Sequence, residues 1–369
     1  MRLLIITPIF RPSVGGAATY YDLLSSGLID AGIVDSVVIV TEAVPGQSSR
    51  TVECAGKLTV VRLFPHRAGT SMHLINQYAK YAAQNFTYFL LPKIVRSEEA
   101  NIVLAHSSFH NHLGVYSRQI KRMKKYVPVI ADCRDQQLSV SRLWHLDIYD
   151  QIVAASQNVK AHLEQRAALH SRIRLIPVLQ ERLEFDDFDC GMLPSFVEPG
   201  RFILFAGLIK AAKGLDLLLD SYAFYKQISG DPMVLVIAGE PKDKSIAKRA
   251  KGMKGVRLVG SLARTQLLTL IKNAALNVSL SSSEGMPRAC LEAIALGTRV
   301  LLPPGIPEFE KFCGNSIARS KDPRVIAEQM VRLLGEPPAR GYPIENHAPE
   351  DVLNQYAKVF QSALHIERV

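Results

Sequence analysis

Val278-Ser-Leu-Ser-Ser-Ser-Glu-Gly-Met-Pro-Arg-Ala-Cys-Leu-Glu-Ala-Ile-Ala-Leu-Gly297 is the stretch whose reading decides the fold. An apolar strand ending near Leu280 runs into Ser281, Ser282 and Ser283, then Glu284 and Gly285, with Pro287 where a first helical turn accepts proline. The pattern predicts a strand, a short loop and a helix that Gly297 closes. Glu284 falls in the loop and Glu292 about a turn and a half into the helix. Two carboxylates can then flank one crevice at the carboxyl end of a strand, where open parallel sheets bind ligands. Carboxylate oxygens accept from neighbouring sugar hydroxyls, and the helix N-terminus between them offers N–H groups to an anion. A sugar joined to a phosphate needs both. Taken singly, each glutamate has a plainer explanation: Glu284 complements a helix dipole, and Glu292 is a solvated helix residue.

The complete string, Glu284-Gly285-x-Pro287 with Leu291-Glu292-Ala293 and Ala295-x-Gly297, resembles the signature of retaining glycosyltransferase family 4, the glycosyl transferases group 1. The resemblance implies an α/β protein of GT-B fold, with two Rossmann-like domains facing across a cleft. It also implies a nucleotide-sugar donor, bound as substrate, and neither a metal nor a cofactor.

Length and composition are compatible with this. A chain of 369 residues exceeds a usual single core, so two domains are expected. With 48% hydrophobic and 21% charged residues it is a folded protein, not a disordered one. The apolar run at Met1-Arg-Leu-Leu-Ile-Ile is too short for a signal peptide, and about 18 uninterrupted apolar residues occur nowhere, so a cytoplasmic protein that does not span the membrane is expected. Cys54, Cys133, Cys190, Cys290 and Cys313 are scattered without Cys-x-x-Cys spacing and read as reduced thiols. The net charge of +10 is uneven: residues 1–185 hold 21 basic against 14 acidic residues, +7, and residues 186–369 hold 23 against 20, +3.

The first half alternates strands and helices, with strand-like runs at 2–7, 37–41, 58–63, 102–106, 127–131, 149–156 and 173–177. That order implies a parallel sheet with helices on both faces. Gly15 and Gly16 open the helix near 17–31, where backbone N–H groups can approach a phosphate or form a plain tight turn. The family resemblance adds weight to the first reading. Residues 184–200 mix acids, Pro and Gly without periodicity and read as a linker. A second strand series follows at 202–206, 233–238, 256–259, 276–280 and 299–302, giving a second Rossmann-like half.

Within it, Gly207 ends a strand, and Lys213 and Gly214 open a helix whose apolar face is Leu215, Leu218, Leu219 and Tyr222. A lysine ahead of a helix N-terminus is unfavourable on dipole grounds, and an anion between them removes the conflict. A solvated lysine is the plain alternative. By resemblance, Lys213 is the diphosphate-binding lysine. The chain departs from the family pattern at Leu208, often arginine, at Arg299, commonly proline, and at Val178, usually asparagine. The missing guanidinium at 208 removes a contact worth roughly 1.5–3 kcal/mol, and Lys210 or Arg288 are candidates to replace it.

His106, His110 and His112 cluster after the fourth strand. They have neither helical zinc spacing nor an acidic third ligand, so a polar loop or, for His106, substrate contact is expected instead of a metal. After the fifth strand, Arg134 and Asp135 resemble an Arg-Asp pair that some family members place against the donor sugar; a buried ion pair holding the loop is the equal alternative.

Residues 116–126 concentrate Arg118, Lys121, Arg122, Lys124 and Lys125, and residues 85–95 are rich in Phe, Tyr and Leu. These are a solvated helix face beside a core helix, or a peripheral patch drawn to anionic lipid at the inner face of the membrane. Equal recovery on anionic and neutral vesicles would count against the second. Nucleic-acid binding is disfavoured for want of an RNA-binding signature or helix-turn-helix, and a dehydrogenase for want of Gly-x-Gly-x-x-Gly after the first strand.

The expected domains are 1–185, Rossmann-like and acceptor-binding; 186–348, Rossmann-like and nucleotide-sugar-binding; and 349–369, a helix returning to the first. The expected activity is retaining transfer of a sugar from a nucleotide sugar to a sugar or lipid-linked acceptor in polysaccharide or glycoconjugate synthesis. Glu284, Lys213, His106, Arg134 and Asp135 are the catalytic candidates. Gly15, Gly16, Gly207, Lys210, Lys213, Gly285, Met286, Pro287, Arg288, Leu291 and Glu292 are the donor-binding ones. The alternative is a catalytically weak nucleotide-sugar-binding partner of another transferase.

Overall fold

The computed structural model describes residues 1–65, 82–110, 114–134, 143–183, 191 and 193–365. The chain divides into two units, Met1–Leu179 with Asn346–Val369, and Gln180–Glu345.

In the first unit, β1 (Arg2–Ile6), β2 (Ser36–Glu42), β3 (Arg50–Glu53), β4 (Leu58–Phe64), β5 (Ile102–His106), β6 (Val129–Cys133), β7 (Gln151–Ala154) and β8 (Ile173–Leu175) form one sheet. Their order among the described residues is β3-β4-β2-β1-β5-β6-β7-β8. Every pair is parallel except β3 on β4. All residues of β5 and β6 are buried, as strands covered on both faces must be. β3 is absent from the predicted strands, because Arg-Thr-Val-Glu at an exposed sheet edge carries no apolar signal.

The helix Pro349–Leu364 belongs to this unit and buries Val352, Leu353, Tyr356, Val359, Phe360 and Ala363. Its approach to the helix Gly16–Asp30 is close: a Cβ on Gly27 would lie 3.0 Å from Leu353.

In the second unit, β9 (Phe202–Ala206), β10 (Val234–Ala238), β11 (Val256–Gly260), β12 (Leu276–Val278) and β13 (Val300–Leu301) run parallel in the order β11-β10-β9-β12-β13. Its core is separate, built from Ile203, Leu218, Leu219, Tyr222, Ile237, Val278, Ile326 and Met330 among others.

The chain enters the second unit at Gln180, earlier than the expected boundary after 185, and returns at Asn346, earlier than 349. The reason lies in the neighbours: Glu181 is already paired with Arg264 of the second unit, while His347 Nδ1 donates to Val178 O of the first at 2.7 Å. Residues 184–190 and 192 of the expected linker lie outside the described residues.

Both sheets reverse their strand order once. In the first unit this switch point is between β1 and β5, and in the second between β9 and β12. Open parallel sheets bind ligands at such points.

Candidate active site

The second-unit switch point gathers the residues on which the sequence reading rests. β9 ends in Gly207, whose N–H donates to Ala238 O at 2.9 Å. The chain then passes Lys210, exposed, and a single helical turn at Ala211–Lys213 before Gly214 starts the helix Leu215–Ile228. β12 leads into Ser281–Glu284 and the helix Arg288–Ala295, capped by Pro287 with φ −75° and ψ 114°. Pro287 is thus the residue before the first turn, one position earlier than its spacing suggested.

The two loops are clamped backbone to backbone. Ser282 N–H donates to Ala212 O at 3.2 Å. Gly214 sits at φ +71°, and a Cβ there would lie 2.0 Å from Leu280 O, so only glycine fits. The clamp brings Lys213 Nζ onto Glu284 Oε1, an ion pair whose side chains are 25% and 14% exposed. Two residues 71 apart in sequence thus face one another across the switch point.

Glu292 is not the solvated helix residue of the plainer reading; it is 2% exposed. Arg264 Nη1 donates to its Oε1 at 2.7 Å, and Arg288 Nη2 lies 3.3 Å from the same oxygen. Arg264 also holds Glu181 through Nε and Nη2. Burial pulls the Arg288 guanidinium below its usual pKa, and Glu292 offsets part of that. Arg288 is therefore committed to Glu292, and Lys210, in solvent, is the other cation near the missing arginine at Leu208. Gly285, Met286, Pro287 and Leu291 are buried around this helix start. Burial pushes the neighbouring Cys290 thiol up to about 12, which leaves no thiolate nucleophile there at neutral pH.

In the first unit, Gly15 precedes and Gly16 opens the helix Gly16–Asp30, after β1. Across the switch point, His106 ends β5, is 4% exposed and accepts the Ser108 N–H on Nδ1 at 3.0 Å. His106 therefore caps its own loop. His110 bonds the Tyr149 hydroxyl at 2.8 Å and Ser117 at 3.1 Å; His112 lies outside the described residues.

Asp135, the expected partner of Arg134, also lies outside the described residues. Arg134 donates through Nε to Asp132 Oδ2 at 2.8 Å and through Nη2 to the Tyr356 hydroxyl at 2.8 Å. Its Cζ stands 3.2 Å from the Tyr20 ring centroid. Tyr21 donates to the same Asp132 oxygen at 2.5 Å, and the Tyr20 and Tyr356 hydroxyls meet at 2.7 Å. Burial works against the Arg134 charge, but Asp132 and the tyrosines outweigh it and hold the guanidinium well above its ordinary pKa. Asp132, Tyr20, Tyr21, Tyr356, Glu181 and Arg264 were not singled out from sequence, because no local spacing links them.

Lys213 and Glu284 thus pair across the β9/β12 switch point, and Glu292 lies buried on the helix that follows. Residues 194–348 match the family of glycosyl transferases group 1. Solved structures share the fold along the whole chain. A UDP-forming α,α-trehalose-phosphate synthase from Burkholderia xenovorans, in complex with glucose-6-phosphate, is 12% identical with a TM-score of 0.70, over 99% of this chain and 98% of that one. A sucrose-phosphate synthase from Thermosynechococcus elongatus is 15% identical with a TM-score of 0.68, over 98% and 94%. HepE from Anabaena, in complex with UDP and glucose, is 13% identical with a TM-score of 0.65, over 98% and 95%. The fold is GT-B. Among the described residues no helix is long and apolar enough to cross a membrane.

Proposed function

We propose that this chain is a retaining, metal-independent glycosyltransferase that moves a sugar from a nucleotide-sugar donor to an acceptor. The observation that carries the proposal is the pairing of Lys213 with Glu284 across the β9/β12 switch point, with Glu292 buried on the helix that follows. Lys213 and Glu284 neutralise each other without donor, and each has a natural substitute in one: a diphosphate oxygen for the ammonium, a sugar hydroxyl for the carboxylate. Donor binding exchanges one ion pair for two charge-assisted contacts. As the glycosidic bond breaks, negative charge gathers on the departing diphosphate. Lys213 and the backbone N–H groups of Gly285 and Met286 are placed to meet it, while the anomeric carbon becomes cation-like. Glu292 accepts from the ribose. The acceptor falls to the first unit, at the β1/β5 switch point beside Gly15, Gly16 and His106.

The test is thermal stabilisation by UDP, GDP and ADP, alone and as sugar conjugates, on the wild type and Glu292→Ala, followed by turnover of Lys213→Ala. One nucleotide family should stabilise the wild type by about 2.7 kcal/mol at 100 times its dissociation constant and leave Glu292→Ala unmoved. Lys213→Ala should turn over at least about tenfold more slowly. No stabilisation of the wild type by any nucleotide would reject the reading.

One observation favours a second reading, a catalytically weak nucleotide-sugar-binding partner of another transferase: Leu208 stands after Gly207, and Arg288 is held by Glu292. Nucleotide binding without any slow release of free sugar would favour it. We also propose that the first unit touches anionic membrane from the cytoplasmic side, because Phe86, Phe89 and Tyr126 are 72%, 52% and 47% exposed in the unit that carries the basic residues 118–125.

A further inference from the structure

Arg264 opens the helix Arg264–Asn273, where a cation meets the positive end of the helix dipole. Its position is explained by what it holds. Nε and Nη2 point to Glu181, and Nη1 points to Glu292. Arg288 approaches Glu292 from the same helix, four residues back, and takes the same oxygen, Oε1. No hydrogen bond of the described residues ends on Glu292 Oε2. Two guanidiniums and two carboxylates thus form a charge-balanced group around a glutamate side chain that is only 3% exposed.

A carboxylate this buried needs such partners, since removing it from water without them is strongly unfavourable. The partners also set its direction. With Oε1 taken, the carboxylate can rotate little, and Oε2 is the oxygen left to accept from a ligand hydroxyl. We propose that Arg264 is a positioning residue for ribose recognition: it fixes Glu292 so that Oε2 meets the ribose hydroxyls, and through Glu181 it anchors that geometry to the segment where the chain enters the second unit. This rests on the reading of Glu292 as the ribose acceptor. It adds a residue that never touches the ligand yet decides whether a ribose is told from a 2′-deoxyribose.

The experiment compares dissociation constants for the best-bound nucleoside diphosphate and its 2′-deoxy analogue on the wild type, Glu292→Ala, Arg264→Met and Arg264→Lys, with unliganded melting curves to verify folding. A hydrogen bond to a charged acceptor gives the wild type a ribose preference of about tenfold or more. Glu292→Ala should lose the preference. Arg264→Met should lose most of it and bind the ribonucleotide about tenfold more weakly, and Arg264→Lys, which keeps the charge without the fork, should recover part. A merely structural role would lower both affinities together and leave the ratio intact. Loss of the preference in Glu292→Ala but not in a folded Arg264→Met overturns the role of Arg264 alone. If Arg264→Met does not fold, an unchanged ratio in Arg264→Lys overturns it instead. If the wild type binds no nucleotide, or Glu292→Ala keeps the preference, the ribose reading of Glu292 has failed and this proposal falls with it.

Discussion

Tyr356 shows how much can hang on one hydroxyl. It meets the Tyr20 hydroxyl and accepts from Arg134 Nη2, while Arg134 Nη1 and Asp132 Oδ1 are buried without a hydrogen-bond partner among the described residues. Tyr356→Phe would leave a second nitrogen of the same guanidinium unmatched. We therefore expect a loss of about 1–3 kcal/mol, read as a lower denaturant midpoint at unchanged slope. A midpoint equal to that of the wild type would show that Arg134 finds another partner. The Lys213–Glu284 pair differs in kind: both side chains retain some exposure, and in the proposed function each trades its partner for part of a ligand. Both glutamates and the lysine could be singled out in sequence, each from its own local stretch. Their state could not be, since the pairing spans 71 residues.

Two glycines separate local from tertiary demands among the elements. Gly297 ends its helix at φ +65°, and a methyl group added there would stand in open space, so only backbone conformation is at stake. Gly297→Ala should cost about 1 kcal/mol. Gly214 adds to a similar φ a collision with the Leu280 carbonyl, which belongs to the other loop of the site. Gly214→Ala should therefore lower stability by more than about 2 kcal/mol and also weaken nucleotide binding, because the clamp that seats Lys213 must open. Melting curves of the two variants, with and without nucleotide, test this; equal losses would mean that the loops yield easily. The role of Gly297 as a helix stop could be read from its place after an apolar repeat. The collision at Gly214 could not, because Leu280 lies far along the chain.

For the whole molecule, each unit carries its own sheet and core, and each sheet reverses once. Open parallel sheets bind ligands at such points, so the proposed transfer has one place for each substrate. The surface of the first unit carries the membrane proposal. Each basic residue near an anionic surface contributes about 1 kcal/mol, and exposed aromatic rings add to it at the lipid interface. Phe86→Ser with Phe89→Ser should reduce recovery on anionic vesicles several-fold, with unchanged nucleotide binding; equal recovery of the wild type on neutral and anionic vesicles would end the idea.

The amino-acid sequence by itself determined the two strand-helix series, their parallel sheets, and the loop-and-helix segment holding Glu284 and Glu292. Periodicity, turn residues and a short signature are properties of neighbours along the chain, and about twenty residues suffice to display them. Only the tertiary structure decided the partners. Arg264 reaches Glu292 across 28 positions and Glu181 across 83, and Tyr20 meets Tyr356 across 336. It also placed Arg134 on Asp132 and buried Glu292. Such contacts depend on how strands are ordered in a sheet and which loops pack together, and that information is distributed over the whole chain.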